Sequence, residues 1–309
     1  MNRLITYRAL LMGCFLTLFS ACQKEQIPTN PSVSIEQADA TINNILKKEK
    51  LMGVSVAVVK NDKIVFSKGY GLANQETKQP ATNESIFLIA SISKTITGMA
   101  VMQLAEQGKL GLDTDINQYL PFKLTNPKNP NAIITCRHLM THTATIVDAY
   151  YEQVANPALY TFGGDPTLSL ADFARAFFTP GGTYYSPNTF GSGSPGGRYE
   201  YTNLGIALLG YIVEAVARKP FDQYTNEMIF RPLGMTKTSW RLRDLPAAEL
   251  AMPYTDGNKP YGHYTFADYP NGGLRTTVND LSKFLRAVML GGAFEGKRVL
   301  SAGSVACLW

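Results

Sequence analysis

Ile86-Phe-Leu-Ile-Ala-Ser91-Ile-Ser-Lys94-Thr-Ile-Thr-Gly-Met99 is the segment from which the rest of this chain can be understood. Its first part, Ile86 to Ile89, is an extended apolar run. From Ser91 the spacing turns helical and predicts a helix over 91–108 that ends at Gly108. Ser91 and Lys94 stand three residues apart, so on a helix they share a face and the amine can reach the hydroxyl. This is the one S-x-x-K in the chain, and about one such match is expected by chance, so its surroundings must decide. Thr95 and Gly98 share the Ser91–Lys94 face. Ile92, Ile96 and Met99 fall on another, which is predicted to be buried. A helix start offers free N–H groups and a positive dipole to a developing oxyanion. A partly desolvated lysine can serve as a base near neutral pH. The competing reading is a helix-capping serine beside a solvated lysine.

A second polar element should face this pair. Tyr-x-Asn occurs three times, at Tyr201-Thr-Asn203, Tyr224-Thr-Asn226 and Tyr269-Pro-Asn271. The Tyr224 copy lies within a helical stretch, and the Tyr269 copy contains proline and precedes Gly272-Gly273. Only Tyr201 follows an irregular loop and leads straight into a helix, a placement that lets a phenol and a carboxamide project into a cleft. The plainer alternative is a buried aromatic whose hydroxyl meets a backbone carbonyl.

Further out, 35–49 has the periodicity of an amphipathic helix. Val54 to Val59 and Ile64 to Phe66 read as a β-hairpin turning at Asn61-Asp62 and broken by Gly69 and Gly71. From 113 to about 260 the pattern is mostly helices and long loops. The stretch 181–197 is rich in Gly, Ser and Pro and predicted to be irregular, and 204–217 and 278–290 are apolar helices. No internal repeat is visible. An α/β part interrupted by a helical lobe fits this order.

The 309 residues are 45% hydrophobic and 17% charged, which excludes a disordered charged-tail protein. The net charge of +5 falls to +3 without Arg3 and Arg8, too little to argue for nucleic acid. Cysteines at 14, 22, 136 and 307 form no CxxC pair, so a zinc ribbon or disulfide-stapled domain is not expected.

Residues 1–22 read as a bacterial export signal. Arg3 and Arg8 precede the apolar run Ala9 to Phe19, which is too short to span a bilayer. Ser20-Ala21-Cys22 then supplies small residues before a cysteine, as lipoprotein processing requires. The expectation is a lipid on Cys22, a polar tether over 23–34, and a place in the cell envelope, periplasmic or outer-membrane associated. Ordinary secretion with cleavage nearby is the alternative.

Ser91-Ile-Ser-Lys94 together with Pro195-Gly and Tyr201-Thr-Asn203 resembles the serine β-lactamase-like superfamily. The similarity is greatest to the branch holding class C β-lactamases, D-Ala-D-Ala carboxypeptidases and related esterases. Gly53 to Val59, Gly111 to Pro121, Ile134 to Thr143, Asn203 to Gly210, Pro232-Leu-Gly-Met235 and Gly272-Gly-Leu274 with Asp280-Leu281 match landmarks of that family in order, over about 36–305. The resemblance implies an α/β fold of β-lactamase/transpeptidase type: an antiparallel sheet flanked by helices (35–112 and 261–309) plus a mostly helical lobe (113–260). It implies Ser91 as the acyl-forming nucleophile, with Lys94 and Tyr201 sharing the acid–base work, and Asn203 positioning the substrate carbonyl or amide. The Ser91 N–H and one from a later strand would bind the oxyanion. No metal or organic cofactor and no nucleic acid is implied. The substrate would be a small molecule or a peptidoglycan-derived peptide carrying an amide, β-lactam or ester.

Three departures matter. The family's third motif, K-T-G or H-x-G, is missing, and Lys109-Leu-Gly111 has the right ends only at a helix terminus. Relatives continue past a segment like Gly291 to Val305, so a chain truncated at its C-terminus, lacking sheet strands and exposing a sheet edge, is expected. That expectation keeps a second reading open: a catalytically incomplete lipoprotein that retains the fold. Thr143-Ala-Thr145 replaces the family's Thr-Ser-Gly, so Thr145 is expected to shift the local backbone without touching the chemistry. Two rivals are weaker. Cys136, His138 and His142 have ligand spacing but lack an HExxH glutamate and a fourth ligand. Gly53-Val-Ser55-Val-Ala57 lacks the last glycine of a G-x-S-x-G elbow. The tyrosines over 149–201 could meet a carbohydrate or peptidoglycan, or simply pack loops.

Overall fold

Ser34 and Gln37 cap each other: the Gln37 N–H donates to Ser34 Oγ (3.2 Å) and the Ser34 N–H to Gln37 Oε1 (3.0 Å). This S-x-x-Q box starts α1 (Ile35–Lys48), the amphipathic helix expected there. The computed structural model describes residues 34–308, so Cys22, the export segment and most of the tether lie outside the described residues. The chain divides into two units, Met1–Asn44 and Ile45–Trp309. Of the first, only the opening turns of α1 are described.

The second unit begins with the hairpin. β1 (Gly53–Lys60) and β2 (Lys63–Asn74) pair antiparallel, with a bulge between Val58 and Val59. The turn places Asn61 and Asp62 at φ +51° and +58°, the left-handed pair a two-residue hairpin requires. Gly69 and Gly71 do not break β2, contrary to expectation. A Cβ on Gly69 would lie 2.3 Å from the Ala81 carbonyl oxygen, and Gly71 sits at φ +70°. These glycines therefore let the strand pass close to its neighbour and run on to pair with β3 (Gln79–Pro80), giving the sheet order β1-β2-β3.

The extended run before Ser91 becomes β4 (Phe87–Leu88), followed by a 3₁₀ turn, Ala90–Ile92, and then α2 (Ser93–Glu106). The helix thus opens two residues later than the spacing suggested, and Ser91 stands on the tighter turn in front of it. Ile96 and Met99 are fully buried as expected, but Ile92 is 50% exposed. A 3₁₀ turn advances side chains faster than an α-helix, which carries Ile92 off the buried face. Gly108, at φ +66°, closes the segment.

The lobe holds α3 (Cys136–Met140), α4 (Tyr151–Leu159), α5 (Leu170–Phe178), α6 (Asn203–Ala217) and α7 (Phe221–Thr225). α6 is buried without interruption from Leu204 to Val213, and it packs against α2, α3 and α5. A helix apolar on every side has no solvent face to offer, so it takes the centre of the core. Residues 181–197 are irregular apart from a 3₁₀ turn at Pro187–Thr189. One pairing was not anticipated: β5 (Tyr160–Phe162), from the lobe, joins β6 (Tyr264–Phe266). β7 (Arg275–Thr276) then pairs with β4 and brings 269–276 beside Ser91. α8 (Val278–Met289) packs on β1 and β2, and β8 (Ala293–Phe294), β9 (Lys297–Arg298) and α9 (Ala302–Ala306) follow. Among the described residues no helix is long and apolar enough to cross a membrane.

Candidate active site

Ser91 is presented on a strained turn. Ala90 before it has φ +44°, a left-handed backbone that costs a non-glycine residue roughly 1 kcal/mol. Hydrogen bonds on either side hold the turn. The Ile89 N–H donates to the Leu274 carbonyl (3.0 Å), and the Leu274 N–H to Ser93 Oγ (3.1 Å). One turn further along α2, the Thr97 hydroxyl donates to the Pro270 carbonyl (2.8 Å). The first two turns of α2 are thus laced to 270–274.

Ser91, Lys94, Tyr201 and Asn203 meet. Ser91 Oγ lies 2.7 Å from Tyr201 Oη. Lys94 Nζ donates to Ser91 Oγ (3.1 Å), to Asn203 Oδ1 (2.9 Å) and to the Asn271 carbonyl (2.6 Å). It also stands 4.9 Å from the centroid of the Tyr201 ring. Two of these three partners are carbonyl oxygens and can only accept. They fix two N–H bonds, and the third tetrahedral direction of Nζ points at Ser91 Oγ. An ammonium turns an N–H there; a free amine turns its lone pair there.

Tyr201 and Asn203 are placed by Asp148 and His142. Thr202 is the N-cap of α6 and its Oγ1 accepts from the Gly205 N–H (3.3 Å). The buried Asp148 carboxylate accepts from the Thr202 hydroxyl (2.5 Å), the Asn203 N–H (2.5 Å) and the Leu204 N–H (3.2 Å). It therefore satisfies the orphan donors and positive end of α6. His142 Nδ1 accepts from the Thr202 N–H (3.2 Å), its carbonyl accepts from the Glu200 N–H (2.7 Å), and its ring packs 4.7 Å from that of Tyr201. Burial holds the His142 imidazole below its ordinary pKa, so it stays a neutral acceptor.

Asn271 is the site residue that the sequence reading set aside. Pro270 does not exclude its segment but starts a 3₁₀ turn, Tyr269–Asn271. The Asn271 side chain donates to Asp268 Oδ2 (2.6 Å), which also accepts from Tyr151 Oη (2.5 Å). Asp268 is fully buried, and burial pushes its carboxyl above the ordinary range. A cleft of about 340 Å³ opens beside Ser91, lined in part by Asn203, Asn271, Tyr151, Tyr160 and Tyr264.

The remaining candidates have structural partners. Cys136 is buried, which pushes its thiol up to about 12. The His138 ring accepts from the Thr135 N–H (3.3 Å) while Thr135 Oγ1 accepts from the His138 N–H (3.2 Å), a capping box on α3. No group of three or more His, Cys, Asp or Glu among the described residues is arranged to hold a metal ion. Ser55 lies within β1 and donates to the Thr82 carbonyl (2.6 Å). Thr145 adopts φ +59° with its hydroxyl bonded to Asn126 (3.0 Å).

With its three-stranded antiparallel sheet and helical lobe, the chain has the β-lactamase/transpeptidase fold of the solved structures it superposes on. The chain belongs to the β-lactamase family, whose model matches residues 38–306. Protein flp of Staphylococcus aureus (strain N315) is 28% identical over 257 residues, covering 82% of this chain and 48% of that protein. Esterase EstB of Burkholderia gladioli is 26% identical over 226 residues, covering 71% of this chain and 54% of the esterase. The octameric penicillin-binding protein homologue from Pyrococcus abyssi superposes with a TM-score of 0.71 at 26% identity, over 88% of this chain and 59% of the other. The chain spans about half the length of the curated relatives it matches.

Proposed function

We propose that this protein is a serine hydrolase that forms an acyl-enzyme on Ser91 and releases a carboxylic acid from an ester, amide or β-lactam. The observation that carries the reading is the contact of one oxygen, Ser91 Oγ, with both Lys94 Nζ and Tyr201 Oη. Lys94 as the free amine takes the Ser91 proton through the lone pair that Asn203 and Asn271 aim at Oγ. Oγ bonds to the substrate carbonyl carbon, and the Ser91 N–H receives the oxyanion. Tyr201 hands its proton to the leaving group as the carbonyl–leaving-group bond breaks. Its phenolate is stabilised by the new ammonium of Lys94. In deacylation a water gives its proton to the Tyr201 phenolate and its oxygen to the acyl carbon, and Lys94 returns a proton to Ser91 Oγ. The Asn203 amide remains to orient the substrate.

Esters suit this centre at least as well as β-lactams, because fold does not fix substrate. The chain contains no K-T-G or H-x-G sequence, which keeps a second reading alive: a non-enzymatic lipoprotein with the same fold. We also propose that residues 1–22 direct export and that Cys22 carries a lipid, anchoring the protein in the cell envelope. The acid–base assignment is tested with Tyr201→Phe. Removing the proton donor should slow acylation by alkyl esters far more than by p-nitrophenyl esters, whose leaving group departs without protonation. Equal slowing of both would remove Tyr201 from that role.

A further inference from the structure

One wall of the cleft beside Ser91 is aromatic. Tyr264 and Phe266 alternate along β6 and so point to the same side of the strand, and Tyr160 stands opposite Phe266 in the β5–β6 register. The Tyr160 ring stacks on Tyr264 at 5.3 Å and 22°, and lies 5.4 Å from Phe266. The wall is held from behind: the buried Arg275 guanidinium donates to the Tyr264 carbonyl and to the Gly273 carbonyl (3.4 Å). Three rings fixed by strand pairing and by a buried cation form a surface that does not need to reorganise for a guest, which limits the entropy lost on binding. Glu152 also lines the cleft and is the one acidic side chain among its lining residues.

Which part of a substrate meets this wall follows from where the proton donor stands. Tyr201 Oη is 2.7 Å from Ser91 Oγ, but the Tyr201 ring rests on His142 and beside Lys94, away from the Tyr160–Tyr264–Phe266 cluster. The leaving group must reach Tyr201, so the group in the cleft is the one that stays on Ser91. Resting on the hydrolase reading above, we propose that Tyr160, Tyr264 and Phe266 form an acyl-group subsite selecting substrates whose acyl chain ends in an aryl ring. The ring is neutral or cationic, because an anionic substituent meets the Glu152 carboxylate. Offset and edge-on contact with the three rings, together with removal of apolar surface from water, supplies the preference.

The test has one arm that needs no catalysis. In the Ser91→Ala protein, binding of 3-phenylpropionamide is measured by ligand-detected NMR. It should be seen, with propionamide binding at least tenfold weaker, and it should weaken about tenfold in Ser91→Ala/Tyr160→Ala and in Ser91→Ala/Tyr264→Leu. The second arm compares kcat/KM of the unaltered protein for methyl 3-phenylpropionate, methyl propionate and benzyl acetate. The first should exceed the second by roughly tenfold to a hundredfold, and benzyl acetate, which carries its ring on the leaving side, should show no such gain. Equal binding of the two amides, binding indifferent to both wall variants, or a gain for benzyl acetate alone overturns the subsite. Selective amide binding with no ester turned over upholds the subsite and overturns the hydrolase reading on which the ester preference rests.

Discussion

The Asn271 carbonyl oxygen lies 2.6 Å from Lys94 Nζ, while the side chain of the same Asn271 is tied at 2.6 Å to a fully buried carboxyl, Asp268. One residue therefore joins the amine beside Ser91 to a group deep in the core. Its side chain fixes the backbone, and its backbone fixes the direction of the lysine.

Removing the buried end of this link should be felt at the other end. Asp268→Ala leaves the Tyr151 hydroxyl and the Asn271 amide without their buried acceptor. We predict a loss of about 3 kcal/mol in urea unfolding, together with a lower kcat for ester hydrolysis at nearly constant KM. Asp268→Asn keeps one acceptor and should lie between the variant and the parent. A stability loss with kcat untouched would mean that Asp268 supports the core without orienting Lys94.

Asp148 should act through α6. Its carboxylate takes three donors from Thr202, Asn203 and Leu204 and opposes the positive end of the helix. Asp148→Asn removes the charge and part of the accepting capacity, for a predicted cost of about 2 kcal/mol. Because Tyr201 and Asn203 flank Thr202, kcat should fall more than KM rises. Steady-state kinetics beside a denaturation curve separate this from simple loosening, in which activity per folded molecule stays constant.

His142 sets a pH dependence of definite sign. Its folded pKa lies below the ordinary 6.5, so the folded state binds fewer protons than the unfolded state as the solution turns acidic. Its contribution is complete above about 6.5 and is lost as pH falls below that value through the folded pKa. Protonation also places an Nδ1–H against the Thr202 N–H, where an acceptor is needed. Unfolding free energies at pH 8 and pH 5 should therefore differ more in the parent than in His142→Asn. Parallel losses in both proteins would assign the acid sensitivity to other groups.

Much of this site was legible because it is local. Ser91 and Lys94 are one turn apart, and Tyr201 and Asn203 stand where an irregular loop enters a helix, so spacing and position nominated them and the family resemblance supplied their roles. The residues that assemble the site through long-range pairing were not legible. Asn271 sits in a Tyr-Pro-Asn copy that local rules set aside, and only the β4–β7 pairing brings it to Lys94. The β5–β6 pair that makes the aromatic wall joins segments about a hundred residues apart, and three-residue strands carry too little periodicity to announce themselves. Gly69 and Gly71 misled for the converse reason. Glycine marks both a strand end and a close approach of backbones, and only the neighbouring Ala81 carbonyl distinguishes them. At Thr145 the sequence suggested a shifted backbone, and the structure accommodates threonine in the left-handed region with its hydroxyl bonded to Asn126.

The most direct test of the account is the site of covalent attachment. The folded protein is mixed with a fluorophosphonate and, separately, with a fluorescent penicillin, and the adduct is located by peptide mass mapping. A stoichiometric adduct is expected on Ser91 with at least the fluorophosphonate, absent from folded Ser91→Ala and slowed in Tyr201→Phe. Folded, soluble protein that gains no mass from either reagent, or that carries the adduct on another residue, would contradict it.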